Sequence, residues 1–263
     1  MSGAAYVVDG NTARATEHAA GPWHPKLQHG GAPASLVVWA AERVPAAAPM
    51  RVARLTVELL RPVPVAPLEL RVATLREGRK IQLVEVRLVH DGKEVVRGTV
   101  LKLRTAATEL PRGPVLPPLG APPPAGVAAD PDFSFGFAAG FELRRLTTRG
   151  RLGPARVWFR QHAPIVEGEP LTPAMRAAAV GDYSNGIATE LPWSDWTFIN
   201  ADLTVSLSRE PEGEWILSDA ECWISEDGTG LAMCRLADER GTFGRAAQSL
   251  LLERRRADGA STA

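Results

Sequence analysis

The chain has 263 residues, 45% of them apolar, enough to bury one large core or two of ordinary size. Its 30 basic and 30 acidic side chains cancel, which removes the global field that would argue for a nucleic acid or a membrane surface as partner.

In chain order, the first twenty residues carry Asp9, Arg14 and Glu17 and lack the apolar stretch of a secretion signal. The first helix candidate is Ala34 to Val44 (ASLVVWAAERV), preceded by Gly30-Gly31 and with Pro33 near its first turn. Segments 51–60, 68–76, 80–90 and 94–104 then alternate or run apolar with Val and Leu, and Asp91-Gly92 is a hairpin turn signal. From 105 to 131 closely spaced prolines remove backbone donors and fix φ, so neither helix nor central strand persists and the stretch reads as a linker. The second helix candidate runs from Pro173 to about Asp182 (PAMRAAAVGD), with Thr172 as N-cap and Pro173 at the first helical position. Strand segments 200–208, 214–225, 230–238 and 242–253 follow, with Asp227-Gly228 as another turn.

The expected organisation is a first unit over 1–104, a linker over 105–131, a second unit over 132–254 and a disordered tail over 255–263. No segment has the roughly 18 uninterrupted apolar residues that a membrane span needs. Cys222 and Cys234 are too few for a disulfide framework and lack the CxxC spacing of a metal or redox pair. A cytoplasmic chain with no membrane span, no nucleic-acid partner, no metal and no cofactor is expected.

The two units repeat one another. Leu55-Thr56-Val57-Glu58-Leu59-Leu60-Arg61 lies 148 residues before Leu203-Thr204-Val205-Ser206-Leu207-Ser208-Arg209, with five of seven positions identical. At the same offset Arg87-Leu88 meets Arg235-Leu236, Arg97 meets Arg245 and Leu103 meets Leu251. A constant offset without insertions points to duplication. Each half reads strand, strand, apolar helix, then several long antiparallel strands. A helix this apolar must be buried, most simply by a curved antiparallel sheet wrapped around it.

That duplicated order resembles the hotdog superfamily. Gly21-Pro22-Trp23 and then His29-Gly30-Gly31-Ala32-Pro33-Ala34-Ser35-Leu36 look like the loop and helix start of the thioesterase-like proteins related to acyl-CoA thioesterase II. Arg54 to Pro62 looks like the strand that follows, and Asn200 to Val205, with Ala247-Gln248 in the last strand, is similar to that family's catalytic half. The resemblance implies an α+β double hotdog, two antiparallel sheets each wrapped around a central apolar helix. It implies hydrolysis of an acyl-CoA or acyl-carrier thioester to free acid and thiol, and by analogy a homo-oligomer, with a homodimer as the plainest form. It also implies a water-activating triad of Asp, a hydroxyl residue and Gln. Asp182 falls at the Asp and Gln248 at the Gln, whereas Asn200 stands where the hydroxyl residue would be.

Hydrolysis without a covalent intermediate needs a base for water, donors that orient that water, and donors aimed at the carbonyl oxygen. Asp182 is the candidate base, although it can equally just end a helix. Asn200, Asp202 and Thr204 share one strand face by the period of two, so Asn200 and Thr204 are candidates, with ordinary strand polar residues as the plainer reading. Asp202 reads better as a structural acceptor than as a second base. Gln248 sits in an apolar strand, where a buried amide is costly unless hydrogen-bonded. His29, Gly30 and Gly31 are the substrate-binding candidates: a helix start offers outward N–H groups, glycine lets backbone approach a ligand, and His29 is either a base or a loop hydrogen-bonding residue. Trp193 and Trp196 either line the substrate entrance or merely pack.

Two other functions stay open beside hydrolysis. One is a non-catalytic acyl-thioester-binding protein, favoured by Asn200 at the hydroxyl position. The other is a hotdog lyase or cyclase acting on a thioester or polyketide; hotdog hydratases resemble one another by an Asp/His pair, and the sequence displays none at recognisable positions.

Overall fold

The computed structural model describes residues 3–109, 111, 135–148 and 150–255. Most of the expected linker and all but the first residue of the expected tail lie outside the described residues. The first half contains β1 (Tyr6–Asp9), β2 (Thr12–Ala15), α1 (Gly31–Glu42), β3 (Met50–Leu59), β4 (Pro67–Arg76), β5 (Ile81–His90) and β6 (Lys93–Arg104). The second contains β7 (Phe141–Arg145), β8 (Ala155–Gln161), α2 (Pro173–Gly181), the one-turn α3 (Ser184–Ile187), β9 (Trp196–Asn200), β10 (Asp202–Leu207), β11 (Trp215–Ile224), β12 (Thr229–Asp238) and β13 (Gly241–Arg254).

The strands pair in the order β1-β2-β4-β5-β6-β3-β10-β13-β12-β11-β8-β7, with β9 added on β13. Each half therefore has the same strand order, read outward from the β3–β10 seam, and the two sheets of the double hotdog join edge to edge there. At the seam Thr56 opposes Thr204, Leu55 opposes Val205 and Val57 opposes Leu203. Residues equivalent in the repeat thus face one another, and a pseudo-two-fold axis passes through the threonine pair.

The turn chemistry agrees with the pairing. Asp91 and Gly92 both take positive φ, 47° and 72°, as the two-residue turn between β5 and β6 demands. Leu, Val and Ile alternate inward along the strands, and both helices are enclosed. In α1 every residue from Gly31 to Ala41 is buried, as expected for a helix apolar on all sides, and Leu36 or Val37 contributes about 1.5–3 kcal/mol by burial. Gly98 of β6 lets the sheet come close: a Cβ there would sit 2.4 Å from Val37 Cγ1. Both thiols are buried, and burial pushes Cys222 up to about 12, which suits packing thiols and not reactive ones. No helix among the described residues is long and apolar enough to cross a membrane.

Candidate active site

The two buried helices lie against each other with opposite directions. Within the contact Ser35 Oγ donates to Met175 O at 3.1 Å. At one end, Thr172 Oγ1 donates to Glu42 Oε2 at 2.8 Å while accepting from Met175 N as the N-cap of α2. This arrangement brings the C-terminus of α2, where Asp182 is the C-cap, onto the N-terminus of α1, where Gly30 is the N-cap. The carboxylate lies directly over Gly30: a Cβ there would stand 2.8 and 2.9 Å from its two oxygens. A larger residue is therefore excluded, and the positive end of α1 favours the negative charge.

Three side chains converge on that carboxylate. Asn200 Nδ2 and Gln248 Nε2 each donate to Asp182 Oδ1 at 2.9 Å, and Gln248 Nε2 also reaches the Asp182 carbonyl at 3.2 Å. Gln248 is fully buried, and its carbonyl accepts from Asn185 N at 3.3 Å at the start of α3, so its amide is satisfied at both ends. The third neighbour comes from the first half: His29 Nδ1 lies 2.9 Å from Asp182 Oδ2. The imidazole packs against two rings that also touch each other, with centroids of Tyr183 at 4.5 Å, Phe137 at 5.3 Å and 6.5 Å between those two. Burial, reinforced by the Asp182 charge, raises the Tyr183 phenol well above its ordinary range.

Asp182, Asn200, His29 and Gly30 border a cleft of about 930 Å³ between the halves, a size typical of small-molecule sites. Trp23 and Trp193 stack in its wall with centroids 4.7 Å apart, and Phe198 packs edge-on against both. Of the two tryptophans in doubt, Trp193 is thus a cleft residue. Trp196 opens β9 instead and lies under Arg254, 5.2 Å from ring centroid to guanidinium.

Two expectations about this strand region are corrected. Thr204 does not join the cluster. Asn200 opposes Leu250 and Thr204 opposes Ala247, so four steps on one strand span three on its partner. The extra residue, at the bend between β9 and β10, reverses the alternation: Asn200 faces inward with Leu203 and Val205, while Thr204 faces out beside Thr56. Asp202 is on that outward face too, and its Oδ1 accepts from Ser249 N at 2.6 Å, the structural acceptor role expected of it. Second, the sequence displays no Asp/His pair because its members come from different halves; His29 and Asp182 form one.

Gly31 also differs from its expected place. It is buried at the helix contact, where a Cβ would meet Phe137 at 3.0 Å and Ala179 O at 3.1 Å, and only Gly30 of the two borders the cleft. Sequence reasoning missed Asn185 and Tyr183, which belong to a short helical turn after Asp182 that folds back over Gln248. Among the described residues no three His, Cys, Asp or Glu side chains group as a metal site would need.

Comparison with known proteins bears on the fold and the family. Residues 19–103 match the family described as acyl-CoA thioesterase N-terminal domain, and residues 117–252 match the acyl-CoA thioesterase C-terminal domain. Among solved structures, a hot dog protein of unknown function from Alicyclobacillus acidocaldarius is 18% identical with a TM-score of 0.74, covering 95% of this chain and 96% of that one. An acyl-CoA thioesterase II, TesB2, from Mycobacterium marinum is 18% identical with a TM-score of 0.67, covering 97% and 96%. The tesB protein of Mycobacterium avium subs paratuberculosis is likewise 18% identical, with a TM-score of 0.66 and coverage of 94% and 95%. No curated protein matches the chain. Identities this low speak for the shared fold alone, but the two domain matches, in order and over most of the length, carry more: the chain belongs to the acyl-CoA thioesterase family and is a thioester hydrolase.

Proposed function

We propose that the chain hydrolyses acyl-CoA thioesters with a water activated at the Asp182 carboxylate. The convergence of Asn200, Gln248 and His29 on that one carboxylate, at the wall of a cleft, is the observation that carries the reading. A buried carboxylate held by three donors is a fixed negative charge, and such a charge draws a proton from water without reorganising during the reaction. Gly30 borders the cleft at the positive end of α1, and its N–H would be a suitable donor for the oxygen that becomes negative as water adds. The acyl chain and the pantetheine arm would lie along Trp23, Trp193 and Leu59 in the cleft, with Arg61 and Arg151 at hand for the phosphates of CoA. This cationic border favours CoA over a carrier protein as the thiol.

Thiol release over a panel of acyl-CoAs tests the proposal. Asp182→Asn keeps the shape and the bond from Asn200 but loses the charge, and turnover should fall by about 10²–10⁴-fold, the usual worth of a general base, with the melting temperature little changed. Turnover undiminished in that variant would sink the role of Asp182.

One observation favours a second reading. The His29–Asp182 pair is the acid–base couple that hydration of an unsaturated acyl thioester would use. Uptake of one water by an enoyl-CoA with no thiol released would identify that chemistry, and release of thiol from a saturated acyl-CoA would exclude it as the main activity.

A further inference from the structure

We propose that Gly186, with Trp193 against it, sets the bulk that the acyl group can carry beside its carbonyl, and that the cleft takes acyl groups branched or cyclic at the carbon next to that carbonyl. This inference rests on the hydrolytic reading above and names the substrate class within it. The first support is where the cleft runs. Its lining includes Gly30 and Asp182, which cap the facing ends of the two helices, but among the described residues none of α1 or α2 themselves. The sheet closes on α1, which is buried from Gly31 to Ala41, and Gly98 of β6 lies too close to Val37 for a Cβ. An extended chain therefore gains no passage between helix and sheet from this cleft, and the acyl group rests on the residues around Asp182.

The second support is a space. Asp182 and Tyr183 have helical backbone angles and α3 follows them directly, so Gly186 falls one turn beyond Asp182 on the same face, and both border the cleft. Gly186 does not have a positive φ, so the backbone does not itself call for glycine there. A Cβ at 186 would stand 3.5 and 4.0 Å from Trp193 Cζ2 and Cη2, with nothing else outside its own turn within 4 Å among the described residues. The room that glycine leaves is thus about one carbon deep and ends at the indole. Its walls are fixed. Trp193 stacks on Trp23 at 4.7 Å and meets Phe198 edge-on at 4.5 Å between centroids, while α3 is tied down by Asn185 N to Gln248 Oε1 and by Asn185 Nδ2 to Phe198 O. A straight chain leaves this room unfilled, whereas a branch or ring at the first carbon fills it and gains the contacts of its apolar walls.

Cyclohexanecarbonyl-CoA and heptanoyl-CoA have the same number of acyl carbons and differ in how much bulk lies beside the carbonyl. Wild-type protein should release thiol from the cyclic substrate with a kcat/KM at least equal to that for the straight one. Gly186→Ala should lower the ratio of the two values by about 10–200-fold, the usual worth of one methylene's room in an apolar pocket. Its melting temperature should not fall, because the added methyl meets no clash and alanine favours a helix. A wild-type preference for heptanoyl-CoA, or a loss in the variant shared equally by both substrates, would overturn the proposal. Should Gly186→Ala not fold, Gly186→Ser places an atom in the same room and has to lower the same ratio; an unmoved ratio there overturns it too. The two readings fail differently. Wild-type protein that releases no thiol from any acyl-CoA removes hydrolysis and this inference together, whereas thiol release with a ratio indifferent to residue 186 removes only the role of Gly186.

Discussion

Asn200 and Gln248 make the same 2.9 Å bond to Asp182 Oδ1, yet they are embedded differently. Asn200 is half-buried at the end of β9, and among the described residues its side chain makes one further bond, a long one to Asp202 O at 3.3 Å. Gln248 is fully buried and also ties Asp182 O and Asn185 N together. Removing Asn200 therefore removes a charge-assisted bond and little else, worth about 1.5–3 kcal/mol. Asn200→Ala should lower kcat by about 10–100-fold and lower the melting temperature by a few degrees, about 2–4 °C per kcal/mol lost. Gln248→Ala leaves buried groups unpaired as well, so it should lose both turnover and stability. Steady-state kinetics beside thermal melts would show this split, and equal loss of stability in both variants would refute it. At this scale Asp182 was singled out by the family resemblance and not by its own surroundings, since a carboxylate after a helix can simply end it, whereas Gln248 also stood out as an amide in an apolar strand that demands a partner. Thr204 was misread because a one-residue bulge leaves no mark in the polar pattern, and His29 was undecided because its partner lies in the other half.

The apolarity of the two helices was legible at the level of elements, and so were the caps of α2, since Thr172 and Pro173 carry local hydrogen-bonding reasons for their places. The antiparallel contact between the helices was not, and it creates an electrostatic feature at the end remote from the cleft. Glu42, the last residue of α1, is pushed up to about 7, first by burial and then by nearby Glu210, against the opposing pull of the Thr172 hydroxyl, Lys102 and Arg43. The unfolded chain loses this proton as pH rises through about 4.5, whereas the folded protein keeps it until about 7. Within that window the native state binds more protons than the unfolded one, so stability falls as pH rises and levels off above 7. Allowing for partial solvent access, the loss is of order 1–3 kcal/mol. Glu42→Gln retains an acceptor for Thr172 Oγ1 and cannot ionise. Its melting temperature should exceed that of wild type by a few degrees at pH 8 and match it at pH 4.5; the same shift at both pH values would contradict the burial account.

For the whole molecule, the duplication was readable from the constant offset of 148 residues, and the seam gives it a physical form, with Thr56 against Thr204 and the flanking pairs exchanged across the axis. The two ends of the helix pair are accordingly symmetry equivalents. At one, the carboxylate of Asp182 follows α2 and meets the N-cap of α1; at the other, the carboxylate of Glu42 ends α1 and meets the N-cap of α2. Their surroundings have diverged. The Glu42 end is closed by Lys102, whose ammonium donates to the Ala41 and Val44 carbonyls, and by Gln82, which donates to Pro45 O and Glu77. The Asp182 end has glycine at the N-cap, an imidazole beside the carboxylate and an open cleft. One duplicated fold should therefore hold one catalytic centre, built from both halves, and the second pseudo-equivalent position serves packing. Isothermal titration with a non-hydrolysable acyl-CoA thioether should give one site per chain. Binding should weaken in Gly30→Ala, whose Cβ would displace the Asp182 carboxylate, and stay unchanged in Glu42→Gln. Two equal sites per chain, or binding lost in the Glu42 variant, would mean that the closed end still works as a ligand site.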